Sequence, residues 1–174
     1  MSKPFDPRTV SRVWLATLAG TAVWLAAIFA APWLMERGAT GAARFIYAVF
    51  APTCHQIPAR CLTLAGHPLA VCGRCLGIYA GFAAGLVVYP LIRGFRRLSL
   101  PKALLLAAMT LPMAVDGIGG ILGSWRSPVG LRFATGLVWG TLLPYYFVPG
   151  MADFLRARAE RRRAAALENQ TVTK

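Results

Sequence analysis

Four blocks of almost uninterrupted apolar residues limit what this chain can fold into more than any other feature. They run from Val13 to Met35, from about Cys75 to Ile92, from Ala103 to Gly123, and from about Val129 to Pro149. A helix needs roughly 20 such residues to cross the hydrocarbon core of a bilayer, and each block comes near that length. The blocks are too continuous for the striped helices of a water-soluble core. Composition agrees: 57% of the 174 residues are hydrophobic and only 14% are charged, where soluble domains carry about 25% charged residues. The expected fold is an all-α integral membrane protein, a four-transmembrane-helix bundle.

The first block reads as a retained span. Lys3, Arg8 and Arg12 resemble the basic start of a secretory leader. The apolar run that follows is too long for one, and Ala27-Ile28-Phe29-Ala30-Ala31 lacks a good cleavage site.

The net charge of +13 would point to nucleic acid in a soluble protein. Here the basic residues flank the apolar blocks, where topology and anionic lipid put them. Membrane lipid is therefore the expected partner and nucleic acid is not. Thirteen basic residues fall on one side: Lys3, Arg8, Arg12, Arg93, Arg96, Arg97, Lys102, Arg156, Arg158, Arg161, Arg162, Arg163 and Lys174. Six fall on the other: Arg37, Arg44, Arg60, Arg74, Arg126 and Arg132. The positive-inside bias puts both termini in the cytoplasm of a multi-pass inner-membrane protein. Residues 1–12 form an N-terminal tail, 13–150 the membrane domain, and 151–174 a basic C-terminal tail. Phe154 to Leu167 reads as a basic cytoplasmic helix.

The segment between spans one and two then lies outside. Ala42 to Ala51 reads as a short apolar-aromatic helix in the interface. Thr53 to Val71 reads as a loop with Pro58 and Pro68 inside it, and the Cys/His region extends to Cys75. Within the spans, Gly77, Gly81 and Gly85 recur every four residues, as do Gly119 and Gly123, and Gly136 and Gly140. Small residues at that spacing let helix backbones meet closely in lipid.

All four cysteines and both histidines lie between positions 54 and 75. Three chemistries fit. The first is a metal centre. Cys72 and Cys75 form a Cys-x-x-Cys half-site at a helix start, and Cys54 with His55 or His67 completes a Cys₃His set for zinc. Adjacent Cys54 and His55 would need a twisted backbone to reach one ion. Arg60 and Arg74 would offset the thiolate charge.

The second is thiol–disulfide exchange between Cys72/Cys75 and Cys54/Cys61. A helix N-terminus and Arg74 would lower the pKa of Cys72. In outline this resembles the membrane-bound quinone-linked disulfide-forming enzymes and vitamin K epoxide reductase, although the cysteine pairs are placed differently. The third is a loop pinned by two structural disulfides, as cysteines outside the cytoplasm allow.

The string Cys54-His55-Gln56 with Arg60, followed by Cys72, Arg74, Cys75, Gly77, Ile78, Tyr79 and Gly81, resembles the signature of domain of unknown function 2085. That is a family of small prokaryotic membrane proteins. Pro112 to Gly117 and Leu131 to Gly136 fit as well, so the resemblance covers roughly positions 50 to 140. It implies a site of Cys54, His55, Cys72 and Cys75, without Cys61 or His67. It implies no particular activity.

Asp116 is the only acid well inside a span, and an intramembrane carboxylate marks a functional candidate. At 1.5 Å per residue it lies about 20 Å into span three. Arg132 enters span four at a similar depth and is the expected partner. Arg60, Arg74 and Tyr79 would extend the pair into a polar pocket under the Cys/His site. Such a site acts either as an enzyme on a lipid or quinone, with Asp116 as acid–base, or as a module that binds a head group or stabilises a complex.

Overall fold

The computed structural model describes residues 7–95, 103–122 and 125–172. Lys3, Arg96, Arg97, Lys102, Gly123 and Lys174, all used above, lie outside the described residues. Among the described residues there are six α-helices: α1 Pro7–Glu36, α2 Thr40–Phe50, α3 Gly73–Ile92, α4 Ala103–Ile121, α5 Val129–Leu142 and α6 Pro144–Val172. Among the described residues, three helical stretches are long and apolar enough to cross a membrane: α1, α3, and Ala103–Gly120 of α4.

The fourth apolar block is divided. Pro144 brings no N–H to the helical ladder, so α5 closes at Leu142 and α6 starts at Pro144. The joint keeps helical backbone angles at Leu143. Its N–H bonds to the Gly140 carbonyl at 3.2 Å, and the Phe147 N–H returns to the Leu143 carbonyl at 2.9 Å. The basic C-terminal run is not a separate helix either, since α6 continues through it to Val172.

Between α2 and α3 the chain is not a plain loop. It makes a 3-10 turn at Pro58–Arg60 and a small antiparallel hairpin, with Thr63 opposite Pro68 and Leu64 opposite His67. Ala65 and Gly66 both take positive φ at its tip.

The tightest helix pair is α3 with α5. A Cβ added at Gly77 would strike the Phe133 carbonyl, one at Gly81 the Leu137 carbonyl, and one at Gly85 the Thr141 carbonyl. From the other side, Gly136 and Gly140 leave room only for the backbone at Arg74 and Ile78. With no hydrophobic effect to drive helices together in lipid, this close approach supplies the dispersion contact that holds them. Gly119 behaves differently, because it accommodates the Trp125 ring and not a neighbouring helix.

Two buried clusters complete the packing. At one end of the spans, Val10, Val13, Leu86, Tyr89, Tyr145, Val148 and Ala152 join α1, α3 and α6. At the other, Ile28, Ala31, Phe50, Leu69, Ala70, Val71 and Leu76 close around Cys54. Phe50 packs edge-on to Trp24, with ring centroids 4.5 Å apart. That second cluster is the floor on which the thiols sit.

Candidate metal centre

Cys54 is fixed by the end of α2. Its N–H bonds to the Phe50 carbonyl at 3.0 Å, so it stays in the turn that leaves the helix and is itself buried. Gln56 then adopts φ of 50°, a left-handed conformation uncommon outside glycine. The twist brings its own N–H within 3.5 Å of Cys54 Sγ. Its side-chain amide donates to the Tyr47 carbonyl at 2.7 Å and to the Ala70 carbonyl at 2.8 Å. The Tyr47 hydroxyl donates to the Pro68 carbonyl at 2.6 Å. Together these bonds tie the strand leaving the hairpin to α2, two residues ahead of Cys72.

Cys72 caps α3 in extended conformation, and its N–H donates to Cys54 Sγ at 3.2 Å. Cys75 follows in the first helical turn. The Sγ atoms of Cys54, Cys72 and Cys75 all lie within 4.8 Å of one another. No disulfide joins them; all four cysteines are free thiols.

Two backbone N–H groups, those of Gln56 and Cys72, thus point at one sulfur, Cys54 Sγ. Cys72 is pulled below the ordinary thiol range by hydrogen bonding with Cys54 and then Cys75, against the cost of burial. Cys61 stands apart from the trio. It donates to the Ile57 carbonyl at 3.2 Å, and burial pushes its thiol up to about 11. His55 is exposed and lines the same small cavity as the three thiols. His67 sits in the hairpin, and no ring nitrogen of either histidine joins the group of sulfurs.

That cavity measures about 180 Å³ and is bounded by Cys54, Cys72, Cys75, Arg60, Arg74 and Arg132, among others. Asp116 lies behind it, buried, and takes Arg74 as its ion-pair partner. The Ser127 hydroxyl donates to its second oxygen. Arg132, the partner expected from depth, instead donates Nε–H to the Ser127 carbonyl at 3.1 Å. The close α3–α5 contact explains the exchange: it presses the Arg74 backbone onto Gly136 and leaves its side chain to reach α4. Ser127 gave no signal in the sequence, since a serine between two spans carries no pattern of its own.

Tyr79 does not join this pocket. It comes five residues after Arg74, which turns it by roughly 140° around the helix. There it meets the Trp24 ring edge-on at 5.8 Å. Both residues line an apolar groove of about 890 Å³ between α1, α3 and α6, with Arg12 also on its wall. The Trp24 indole N–H is buried with no partner among the described residues.

Fold and site together define a helical membrane protein with a three-thiol centre at one end of its spans. Residues 54–146 match the family described as predicted membrane protein, DUF2085, and the chain belongs to it. An uncharacterised protein of Methanocaldococcus jannaschii is 35% identical over 145 residues, covering 80% of this chain and 93% of that protein. One from Methanothermobacter thermautotrophicus is 36% identical over 88 residues, covering 50% of this chain and 77% of that protein. No solved structure matches.

Proposed function

We propose that the chain is a four-span protein of the inner membrane whose outer mouth holds a zinc ion on Cys54, Cys72 and Cys75. The observation that carries this reading is the convergence of three sulfurs within 4.8 Å, brought from two separate segments. Cysteine-rich tetrahedral sites favour zinc, which has no redox chemistry of its own. His55, on the wall of the same cavity, is the protein's candidate for the fourth ligand. With two backbone N–H donors on Cys54, the centre has the outer-shell support that such ligands need.

The fourth span in this reading is α5 continued across Pro144 into α6. Breaks at proline are tolerated in membrane helices where neighbouring groups satisfy the freed carbonyls. Both termini are then cytoplasmic, on the thirteen-to-six bias of basic residues. The ligand class is a lipid or quinone. The apolar groove has the size and character to take such a chain, and the unpartnered Trp24 N–H awaits an acceptor. Asp116 orients Arg74 at the site.

One experiment tests both side and metal. Intact cells are treated with a membrane-impermeant maleimide, with and without prior chelation, and the labelled cysteines are mapped. The expected result is that Cys54, Cys72 and Cys75 react only after chelation, with about one zinc per chain in the purified protein. Labelling without chelation, in protein that carries no metal, would sink the metal reading.

A second reading has its own observation. A low thiol pKa at Cys72, beside Cys75, is also what disulfide exchange uses. A Cys72–Cys75 disulfide that appears on adding quinone would select it over zinc.

A further inference from the structure

Arg60, Arg74 and Arg132 come from three different elements, the 3-10 turn, α3 and α5, and all three line the 180 Å³ cavity that holds the thiols. We propose that these three guanidinium groups form a phosphoryl-binding subsite beside the thiol centre. This inference rests on the zinc reading for its charge balance but not for its geometry.

Charge comes first. A zinc ion on three thiolates carries one net negative charge, and Asp116 carries another. Three guanidinium groups outnumber them, so one positive charge is left over. Arg60 stands at the exposed rim, so the surplus lies at the mouth of the cavity, where it draws an anion toward the two inner guanidinium groups.

Hydrogen bonding points the same way. Arg132 is only 6% exposed, and its Nε–H is taken by the Ser127 carbonyl. Arg74 gives one terminal nitrogen to Asp116, while its Nε–H is buried with no partner among the described residues. Buried guanidinium donors without acceptors are rare in finished structures. Asp116 and Ser127 hold the forks in place before any ligand arrives. A carboxylate would occupy one fork; a phosphoryl group offers three oxygens, one for each arginine.

Size then limits the ligand. The cavity is smaller than the roughly 300–1,000 Å³ of pockets that enclose drug-sized molecules. It admits a phosphoryl group but not the body of a lipid. The group comes either from free phosphate or from the head of a phosphomonoester lipid whose chains stay in the bilayer.

The test uses the full chain, purified with its metal content measured. In detergent, inorganic phosphate is titrated against thermal unfolding and phosphorus-31 line width, with chloride at matched ionic strength as reference. In nanodiscs, phosphatidic acid in phosphatidylcholine is compared with phosphatidylcholine alone. A phosphate-specific rise in Tm identifies free phosphate as the source; a rise confined to phosphatidic acid identifies the lipid. Either outcome supports the subsite. Arg60→Gln, at an exposed position that should leave folding intact, is expected to weaken binding about tenfold, the value of one charged hydrogen bond. Arg132→Lys should do at least as much if it folds. Arg44→Gln, on the exposed side of α2, should change nothing. No response to either phosphate source, or equal loss in Arg44→Gln and Arg60→Gln, overturns the proposal. Zinc-loaded protein that ignores phosphate removes the subsite and leaves the metal reading standing. Metal-free protein that binds phosphate does the reverse.

Discussion

α3 is held to α5 and to α4 by opposite means. Against α5 it offers Gly77, Gly81 and Gly85, and backbone lies on backbone with no polar side chain between. Toward α4 it sends one long side chain, Arg74, to one carboxylate, Asp116. The rest of α4 leaves Leu104, Leu111, Val115 and Ile118 exposed. The first contact is steric and spread over three helical turns, so it tolerates no added atom. The second is electrostatic and local, so its cost appears only when a charge is stranded. In lipid the two are not interchangeable, because apolar surface there gains nothing by leaving the solvent.

The largest effect should come from filling the ridge. Gly81→Val drives a side chain into the Leu137 carbonyl and should cost more than about 3 kcal/mol, at or beyond the upper end of ordinary overpacking. Gly20→Val, where a Cβ meets nothing within 4 Å, should stay within about 0.5 kcal/mol. Melting curves in detergent for the two variants suffice, and equal curves would break the comparison.

An intermediate effect is expected at the ion pair. Asp116→Asn and Arg74→Gln should each cost about 1.5–3 kcal/mol, the range for hydrogen bonds to charged groups. The double variant should recover part of the loss, because neither charge is left alone. Asp116→Asn combined with Arg132→Gln should recover less, since the hydrogen bonds between those two side chains run through Ser127. If the cycle with Arg132 gives the larger coupling, Arg74 is not the principal partner.

The smallest effect tests how α4 is attached along its length. Trp139 of α5 donates its indole N–H to the Thr110 hydroxyl at 2.9 Å. Trp139→Phe should cost about 1 kcal/mol, and hydrogen exchange should rise in α4 and not in α3. A rise shared equally by both helices would mean that the bundle opens as one unit.

Much of the fold was legible because membrane helices declare themselves by length and apolarity alone. α1, α3 and α4 follow the first three apolar blocks, and the Gly77–Gly81–Gly85 ridge faces a helix as its spacing required. Pro144 went unread as a divider, since a hydropathy average does not register one missing N–H. At the site, the cysteines were legible as a group by their confinement, the resemblance implied the set without Cys61, and the convergence of the three in the structure comes from two flanking clamps. Those clamps, the Gln56 amide and the Tyr47 hydroxyl, are bonds to backbone carbonyls, which leave no pattern in side-chain spacing.

By itself the sequence determined that this chain enters a membrane and that its reactive side chains gather at one end. Both follow from composition in contiguous segments, and no fold is needed to see them. Which arginine meets Asp116 and which way Tyr79 points were decided only by tertiary structure. Each depends on the rotation of one helix against another, and that rotation is set at the glycine contact between α3 and α5. Arg74 and Arg132 stood equal on charge, and depth favoured Arg132. Backbone proximity at Gly136 gave Arg74 the carboxylate and left Arg132 to the Ser127 carbonyl.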